Sequence, residues 1–351
     1  MIEFLSTDSM RPKVLSSINK YIGISKNQSL TVGFYNEGRL YAFSNSPDPE
    51  GLLYDIGSIS KTVTAHLILN LAEQGMLALK SSISEYLSVP KGNYPTVYEL
   101  LTHTAGYGYL TPREIVIPSL LKHGYAKRNI YQGCTADTVL NCLIRRKKRR
   151  KITHGYSYSD FSFSVLAVVA ESVTGKRFSE LIEAFLQDEL GMKGTHVATA
   201  AETRNPLPAY GSRTVDFWKW ERDNPYVAGG GLVSNLPDML TYIKHEIESE
   251  KEYITAAHKT CDGSVSAKTN HVSCIGWHTY KKSNILWHVG AAGTFRTSVV
   301  LNRKRRLGVV VFGNSKGVTS ANVHYIAKML YNEMKIKKIN FKSAEKFTSS
   351  Y

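Results

Sequence analysis

Strand-forming segments are confined to the two ends of this chain, and the residues between them read as helices and loops. Near the start, Leu30 to Phe34 and Leu40 to Phe43 are rich in β-branched and aromatic residues and flank Asn36-Glu37-Gly38, a hairpin signal. Far downstream, Asn284 to Val289, Thr297 to Leu301 and Leu307 to Phe312 read as strands, the last two joined by a basic turn at Asn302 to Arg306. Between them, Ser58 to Gln74, Ser164 to Thr174 and Ser179 to Leu190 read as helices, and Gly175 stands at a C-cap. A last helix is expected over Ser320 to Met334. Strands so far apart in sequence reach a common layer only if the chain returns on itself. The expected fold is therefore α/β plus all-α. One antiparallel sheet, built from both chain ends and flanked by helices, carries a large helical insertion. Residues 1–351 form one unit, with 1–60 and 260–351 as its α/β part and 61–259 as its mainly helical part.

The chemistry concentrates at Ser58-Ile59-Ser60-Lys61, where the apolar run Leu52 to Ile56 meets Gly57 and a helix begins. A serine in the first turn of a helix has free backbone N–H groups and the positive dipole end beside its oxygen. A lysine three residues on shares its helix face, so the amine can reach that oxygen. Serine needs such a neighbour to become a nucleophile, and Ser-x-x-Lys is a signature of serine acyl-transfer enzymes. The tetrapeptide alone is weak, since many helices carry it by chance.

An ordered set of segments strengthens it. Gly57 to Thr62 is followed by Gly75-Met76-Leu77, Ile83 to Leu87, Glu99 to Gly106, Tyr158-Ser159-Asp160, Ala228 to Ser234 and His288-Val289-Gly290. This order resembles the serine β-lactamase-related family, which holds class C β-lactamases, D-alanyl-D-alanine carboxypeptidases, D-aminopeptidases and family VIII-like esterases. The resemblance covers residues 30 to 330 and implies an active site in a cleft between an α/β and an all-α part. It also implies an acyl-enzyme on Ser58, with Lys61 as the activating cation. Tyr158 would be the general base, its phenol pKa pulled down by Lys61. His288 and Gly290 would lie on a strand edging the cleft, and the backbone N–H groups of Ser58 and Ala291 would form the oxyanion hole. No cofactor or metal is implied.

Asp160 stands where the family most often has asparagine. Either it faces Lys61, favouring the ammonium form, or it turns away to cap the helix starting near Phe161. The segment before Tyr158 also departs from the family: a common Pro-Gly is replaced by His154-Gly155. His103 is expected as a structural turn rather than a base. Gly229-Gly230-Gly231 lacks a phosphate-loop pattern and reads as a cleft-rim turn leading into a helix capped by Ser234 or Asn235.

Composition excludes other classes. Cys134, Cys142, Cys261 and Cys274 form no C-x-x-C pair and read as free, mostly buried thiols. The histidines form no H-E-x-x-H or H-x-H-x-D cluster, which argues against a metallo-hydrolase. No apolar run approaches the ~18 residues that cross a bilayer. The amino terminus does not read as a secretory signal, so a cytoplasmic protein is expected, or a secreted one if a signal was trimmed. The net charge is +15, much of it in Arg145 to Lys151, Arg303 to Arg306 and the tail Lys335 to Lys346. These runs read as solvated surface, with Arg145 to Lys151 as a candidate site for an anionic ligand; no specific nucleic-acid motif accompanies them. The leading expectation is a serine hydrolase acting on a small ester or a D-amino-acid amide or peptide. A β-lactamase or penicillin-binding D,D-carboxypeptidase, and a non-hydrolytic ligand-binding relative, are the alternatives.

Overall fold

A computed structural model describes residues 1–22, 29–46, 48–109, 112–124, 128–146, 155–200, 217–265, 271–314, 319–343 and 345–346. Its strands are β1 (Ile2–Phe4), β2 (Ser29–Asn36), β3 (Arg39–Ser44), β4 (Tyr54–Asp55), β5 (His196–Val197), β6 (Leu232–Ser234) and β7 (Thr260–Val265), followed by β8 (His271–Cys274), β9 (His278–Tyr280), β10 (Leu286–Ala292), β11 (Phe295–Asn302), β12 (Leu307–Asn314) and β13 (Glu345–Lys346). Ten form one sheet in the order β13-β1-β3-β2-β12-β11-β10-β9-β8-β7. Strands from the start and the end of the chain thus meet at β2 and β12, which pair antiparallel over eight residues from Leu307↔Asn36 to Asn314↔Ser29. The sheet is mixed rather than wholly antiparallel, because β1 runs parallel to β3. A second, three-stranded sheet orders β4-β6-β5.

The β2–β3 hairpin turns at Glu37 and Gly38, whose φ values of 50° and 98° are the left-handed pair that a tight two-residue turn needs. On β12 the unbroken apolar run has a simple cause. Val309 and Val311 join one core with Val323, Ile326 and Leu330 of the last helix, while Val310 and Phe312 join the other. A strand buried on both faces carries no polar alternation.

The helices are α1 (Pro12–Ile22), α2 (Ser60–Glu73), α3 (Val97–Leu101), α4 (Arg113–His123), α5 (Ala136–Arg146), α6 (Asp160–Thr174), α7 (Phe178–Ala184), α8 (Val227–Gly230), α9 (Leu236–Glu248), α10 (Glu252–Ala257) and α11 (Ser320–Lys335). Helices α1 and α11 cover one sheet face, and α9 covers the other against β2 and β12. α2 and α6 are almost wholly buried, so neither shows a clean apolar stripe. Gly175 ends α6 at φ 68°, a left-handed C-cap. Asn235, not Ser234, caps α9 by accepting from the Asp238 N–H at 2.8 Å. Among the described residues, no helix is long and apolar enough to cross a membrane.

Cys134, Cys142 and Cys274 are buried free thiols. Arg145 and Arg146 end α5, and the rest of that basic run lies outside the described residues. In the β11–β12 turn, Arg303 donates to the Glu246 and Ser249 carbonyls at the end of α9 and pairs with Glu250, and Arg306 pairs with Glu248.

Gly33 marks a close approach of α9 to the sheet. A Cβ there would lie 2.8 Å from Leu236, 2.9 Å from Leu240 and 2.9 Å from Val310. Strand propensity alone favours valine at this position. Overpacking against three side chains should win, and Gly33→Val is expected to lose about 1–3 kcal/mol. The measurement is a urea unfolding curve, read as a lower midpoint with unchanged slope; an equal or higher midpoint would show that α9 yields.

Candidate active site

Ser58 sits in a 3₁₀ turn, Gly57–Ile59, that runs directly into α2. Two glycines make this possible. Gly57 has φ +49°, and a Cβ on it would lie 2.5 Å from the Ala291 nitrogen. A Cβ on Gly290 would lie 1.9 Å from the Ile56 carbonyl oxygen and 3.4 Å from the Ser58 nitrogen. Only backbone fits between the turn and β10, so the amide edges at Ser58 and Ala291 are brought side by side. The turn is locked from within: the Ser60 hydroxyl donates to the Gly57 carbonyl at 2.7 Å and accepts from the Leu232 N–H at 3.3 Å.

Lys61 follows one turn later and is fully buried. Its ammonium has three partners: the Ser58 Oγ at 3.1 Å, the Gly229 carbonyl at 2.5 Å and Asp160 Oδ1 at 2.6 Å. Two of these contacts are hydrogen bonds and the third is an ion pair, which sets a carboxylate charge against that of the buried ammonium. Asp160 faces Lys61. Its other oxygen accepts from the Tyr131 hydroxyl at 2.5 Å, and the cap of α6 is Ser159, which accepts from the Ser162 N–H at 3.2 Å.

Tyr158 lies beside this group, with Ser58 close enough to act on its phenol. Burial lifts its phenol well above the usual range, the Asp160 charge adds to the rise, and Ser58 opposes it. The expected lowering by Lys61 is not met. The ammonium lies over the ring, 5.0 Å from its centroid, so desolvation of the hydroxyl prevails. The phenol is therefore protonated at rest.

Neutral imidazoles wall the other side. His288 projects inward from β10 and stacks on His278 at 5.0 Å between ring centroids. Burial pushes its pKa down to about 3, the Lys61 charge pushes the same way, and the contact of Nδ1 with the Val289 carbonyl at 2.9 Å opposes. His278 and His103 are held well below the ordinary histidine range by burial first and neighbouring charge second. His103 takes φ 58° and serves the turn: its Nδ1 accepts from the Ser159 N–H at 3.2 Å and its carbonyl from Ser157.

The cleft above Ser58 has a volume of about 280 Å³ and is aromatic, with Tyr109, Tyr156, Trp218, Trp220 and Trp287 among its walls. Sequence reasoning missed Tyr131, His278 and these aromatic residues. Tyr107-x-Tyr109 and Trp218-x-Trp220 were the visible signals, but the elements that carry them are short or irregular. It also missed the Gly229 carbonyl as a partner of Lys61, because a backbone atom leaves no mark in sequence. Gly229 and Gly230 close the short helix α8, whose Ala228 carbonyl accepts from Thr64 of α2 at 2.8 Å.

This fold is β-lactamase/transpeptidase-like, and its cleft joins a serine, a buried lysine and a tyrosine under a sheet edge. A family model for beta-lactamase matches residues 24–332. The chain belongs to the beta-lactamase family, a family of serine hydrolases. It is 23% identical over 296 residues to Protein flp of Staphylococcus aureus strain MW2, covering 79% of this chain and 54% of that protein. The chain thus spans about half the length of that curated relative. Among solved structures, the octameric penicillin-binding protein homologue from Pyrococcus abyssi superposes with a TM-score of 0.71 at 21% identity, covering 95% of this chain and 78% of that one. A D-stereospecific amidohydrolase from Streptomyces superposes at 0.67 and 19% identity, covering 91% and 97%.

The imidazole wall makes stability depend on pH. His103, His278 and His288 have folded pKa values below the unfolded ~6.5, so the unfolded state binds protons first as pH falls. Their full contribution holds above pH ~6.5 and is lost progressively as pH falls below it, at about 2 kcal/mol for His288 by pH 5. Urea midpoints at pH 7.5 and 5.0 should differ accordingly, and His278→Phe should shrink the difference. Equal midpoints in the wild type would refute the neutral wall.

Capping and ion pairing at adjacent residues also separate. Ser159→Ala should lower stability by about 1 kcal/mol in urea unfolding. Asp160→Asn should leave the cap intact and reduce turnover at least tenfold, since Lys61 loses its counter-charge. A variant Asp160→Asn with full turnover would deny the pair a role in catalysis.

Proposed function

We propose that this protein forms an acyl-enzyme on Ser58 and hydrolyses a small ester or D-amino-acid amide that carries no carboxylate beside the scissile bond. The observation that carries the reading is Ser58 Oγ lying 3.1 Å from a buried ammonium that itself lies over the Tyr158 ring, 5.0 Å from its centroid. In this mechanism Ser58 Oγ attacks the substrate carbonyl while its proton passes to Tyr158 in the phenolate form. Lys61, paired with Asp160, stabilises both the phenolate and the developing alkoxide. The N–H groups of Ser58 and Ala291 receive the oxyanion. Tyr158 then gives the proton to the departing alcohol or amine, and a water repeats the sequence on the acyl-enzyme.

The substrate class follows from what the cleft offers. Its described lining residues include no arginine or lysine. Arg296, opposite Ala291 on β11, turns its guanidinium to the carbonyls of Gly293 and Phe295 at 2.8 and 2.6 Å. His288 is neutral and cannot pair with a carboxylate at pH 7. Aromatic walls favour an apolar acyl group. The amidohydrolase likeness supports the amide branch of this reading.

Intact-protein mass spectrometry tests it. A fluorophosphonate should add once to wild type and not to Ser58→Ala, and Ser58→Ala should lose turnover by several orders of magnitude. Aryl esters and D-amino-acid amides should exceed nitrocefin in kcat/KM. A preference for nitrocefin would favour β-lactam hydrolysis, and unchanged turnover in Ser58→Ala would remove the nucleophile.

The resting protonation adds a kinetic signature. With the phenol neutral, the base form is scarce at pH 7 and grows about tenfold per pH unit. For a neutral ester, log kcat/KM should climb with a slope near one from pH 7 to 9. A plateau beginning below pH 7 would show that Tyr158 is already ionised.

A further inference from the structure

Behind the catalytic helix lies a second cluster of chemistry-bearing side chains that the hydrolytic mechanism does not use. His66 projects from α2, Glu246 from α9, and His258 follows the last turn of α10. Glu246 and His66 are fully buried, and the His258 side chain is 9% exposed. His66 Nδ1 lies 3.3 Å from Glu246 Oε1, and His258 Nε2 lies 2.6 Å from Glu246 Oε2. One ligand atom from each residue falls within 4.8 Å of the other two. The surroundings are apolar and aromatic: the Tyr253 ring lies 6.0 Å from His66 and Trp277 6.2 Å from His258, centroid to centroid.

Two features separate this cluster from ordinary buried polarity. Among the described residues, the ion-pair partners of the Glu246 carboxylate are these histidines and neither lysine nor arginine. Its Oε1 also has no hydrogen-bond donor of acceptable geometry, although it is wholly enclosed and aimed at His66. Two imidazole nitrogens and a carboxylate oxygen are the donor set that zinc takes in three-ligand sites. Zinc ligands about 2.0–2.1 Å from the ion stand roughly 3.3–3.5 Å from one another in a tetrahedron. The two nitrogens stand 3.3 and 2.6 Å from different Glu246 oxygens, and the three ligand atoms, all within 4.8 Å of one another, would draw to this spacing around an ion. The Tyr242 hydroxyl, 3.4 Å from His66 Nδ1, stands beside the fourth position.

We propose that His66, Glu246 and His258 bind a divalent zinc-type cation that clamps α2 to α9 and α10. The clamp would act on the catalytic helix from behind. Tyr242 also donates to Thr62 at 2.7 Å, the residue next to Lys61. The ion's role is structural, since nothing in the acyl-transfer site touches it.

The test uses the full chain without a histidine tag, stripped of metal and then titrated with Zn²⁺ or Co²⁺. The expected result is close to one Zn²⁺ per chain by elemental analysis. Co²⁺ should give the intense visible bands of a tetrahedral site, and Tm should rise by at least about 3 °C with Zn²⁺. Glu246→Gln and His258→Ala should each weaken binding at least tenfold. His258→Gln keeps a donor to the Glu246 carboxylate, so it should stay folded even if the other two do not, and it should still lose the ion. Folded wild type that takes up no stoichiometric metal would overturn the proposal. So would stoichiometric metal retained by His258→Gln, which would put the ion elsewhere. Turnover of wild-type apo protein on an aryl ester reports separately on Ser58 chemistry, so the failure of one reading leaves the other standing.

Discussion

A single buried ammonium organises this molecule. Lys61 is wholly removed from water, and its Ser58, Gly229 and Asp160 partners come from positions spread over some 170 residues of sequence. Desolvating a lysine costs several kcal/mol, recovered only if the ammonium is paired with an opposite charge and hydrogen-bonded where it lies. That requirement holds the serine turn, the start of α6 and the glycine segment of α8 at one point. It also gives Asp160 a task that asparagine would do less well. A neutral amide can accept a hydrogen bond from the ammonium but cannot balance its charge.

The second constraint is steric. The serine turn lies against β10 so closely that Gly57 and Gly290 leave no room for a side chain. The central sheet therefore reaches Ser58 with backbone amides, the groups an oxyanion requires. β10 owes its place to its neighbours β9 and β11, and β11 to β12 and the amino-terminal hairpin. Sheet closure by the two chain ends and the geometry of the cleft are thus one problem for the folding chain.

The environment decides what the site residues are, beyond which they are. Tyr158 and His288 occupy positions whose residue types suggest a low-pKa phenol and a histidine able to carry charge. Burial among rings drives the phenol up and the imidazole down, so both are neutral at rest. A cation centred on the ring face cannot reverse a desolvation felt at the hydroxyl. The cleft is therefore less charged than its residue list implies, which shifts the substrate reading away from carboxylates.

The strands with β-branched runs, the caps at Gly175 and Asn235, and the Ser58–Lys61 pair were legible in the sequence. They depend on local physics: period, turn chemistry and one helical turn of spacing. The order of the motifs carried the family and, with it, the positions of Tyr158, His288 and Ala291. The parallel pairing of β1, the choice between Asp160 facing Lys61 and capping α6, the Gly229 carbonyl and the imidazole wall were decided only by tertiary structure. So was the juxtaposition of His66, Glu246 and His258, which are scattered too widely for any spacing rule. Each of these depends on which distant atoms share a water-free space, and a linear pattern carries no measure of desolvation or of distance between segments. The sequence determined the parts and their local conformations; three-dimensional burial determined their charge and their partners.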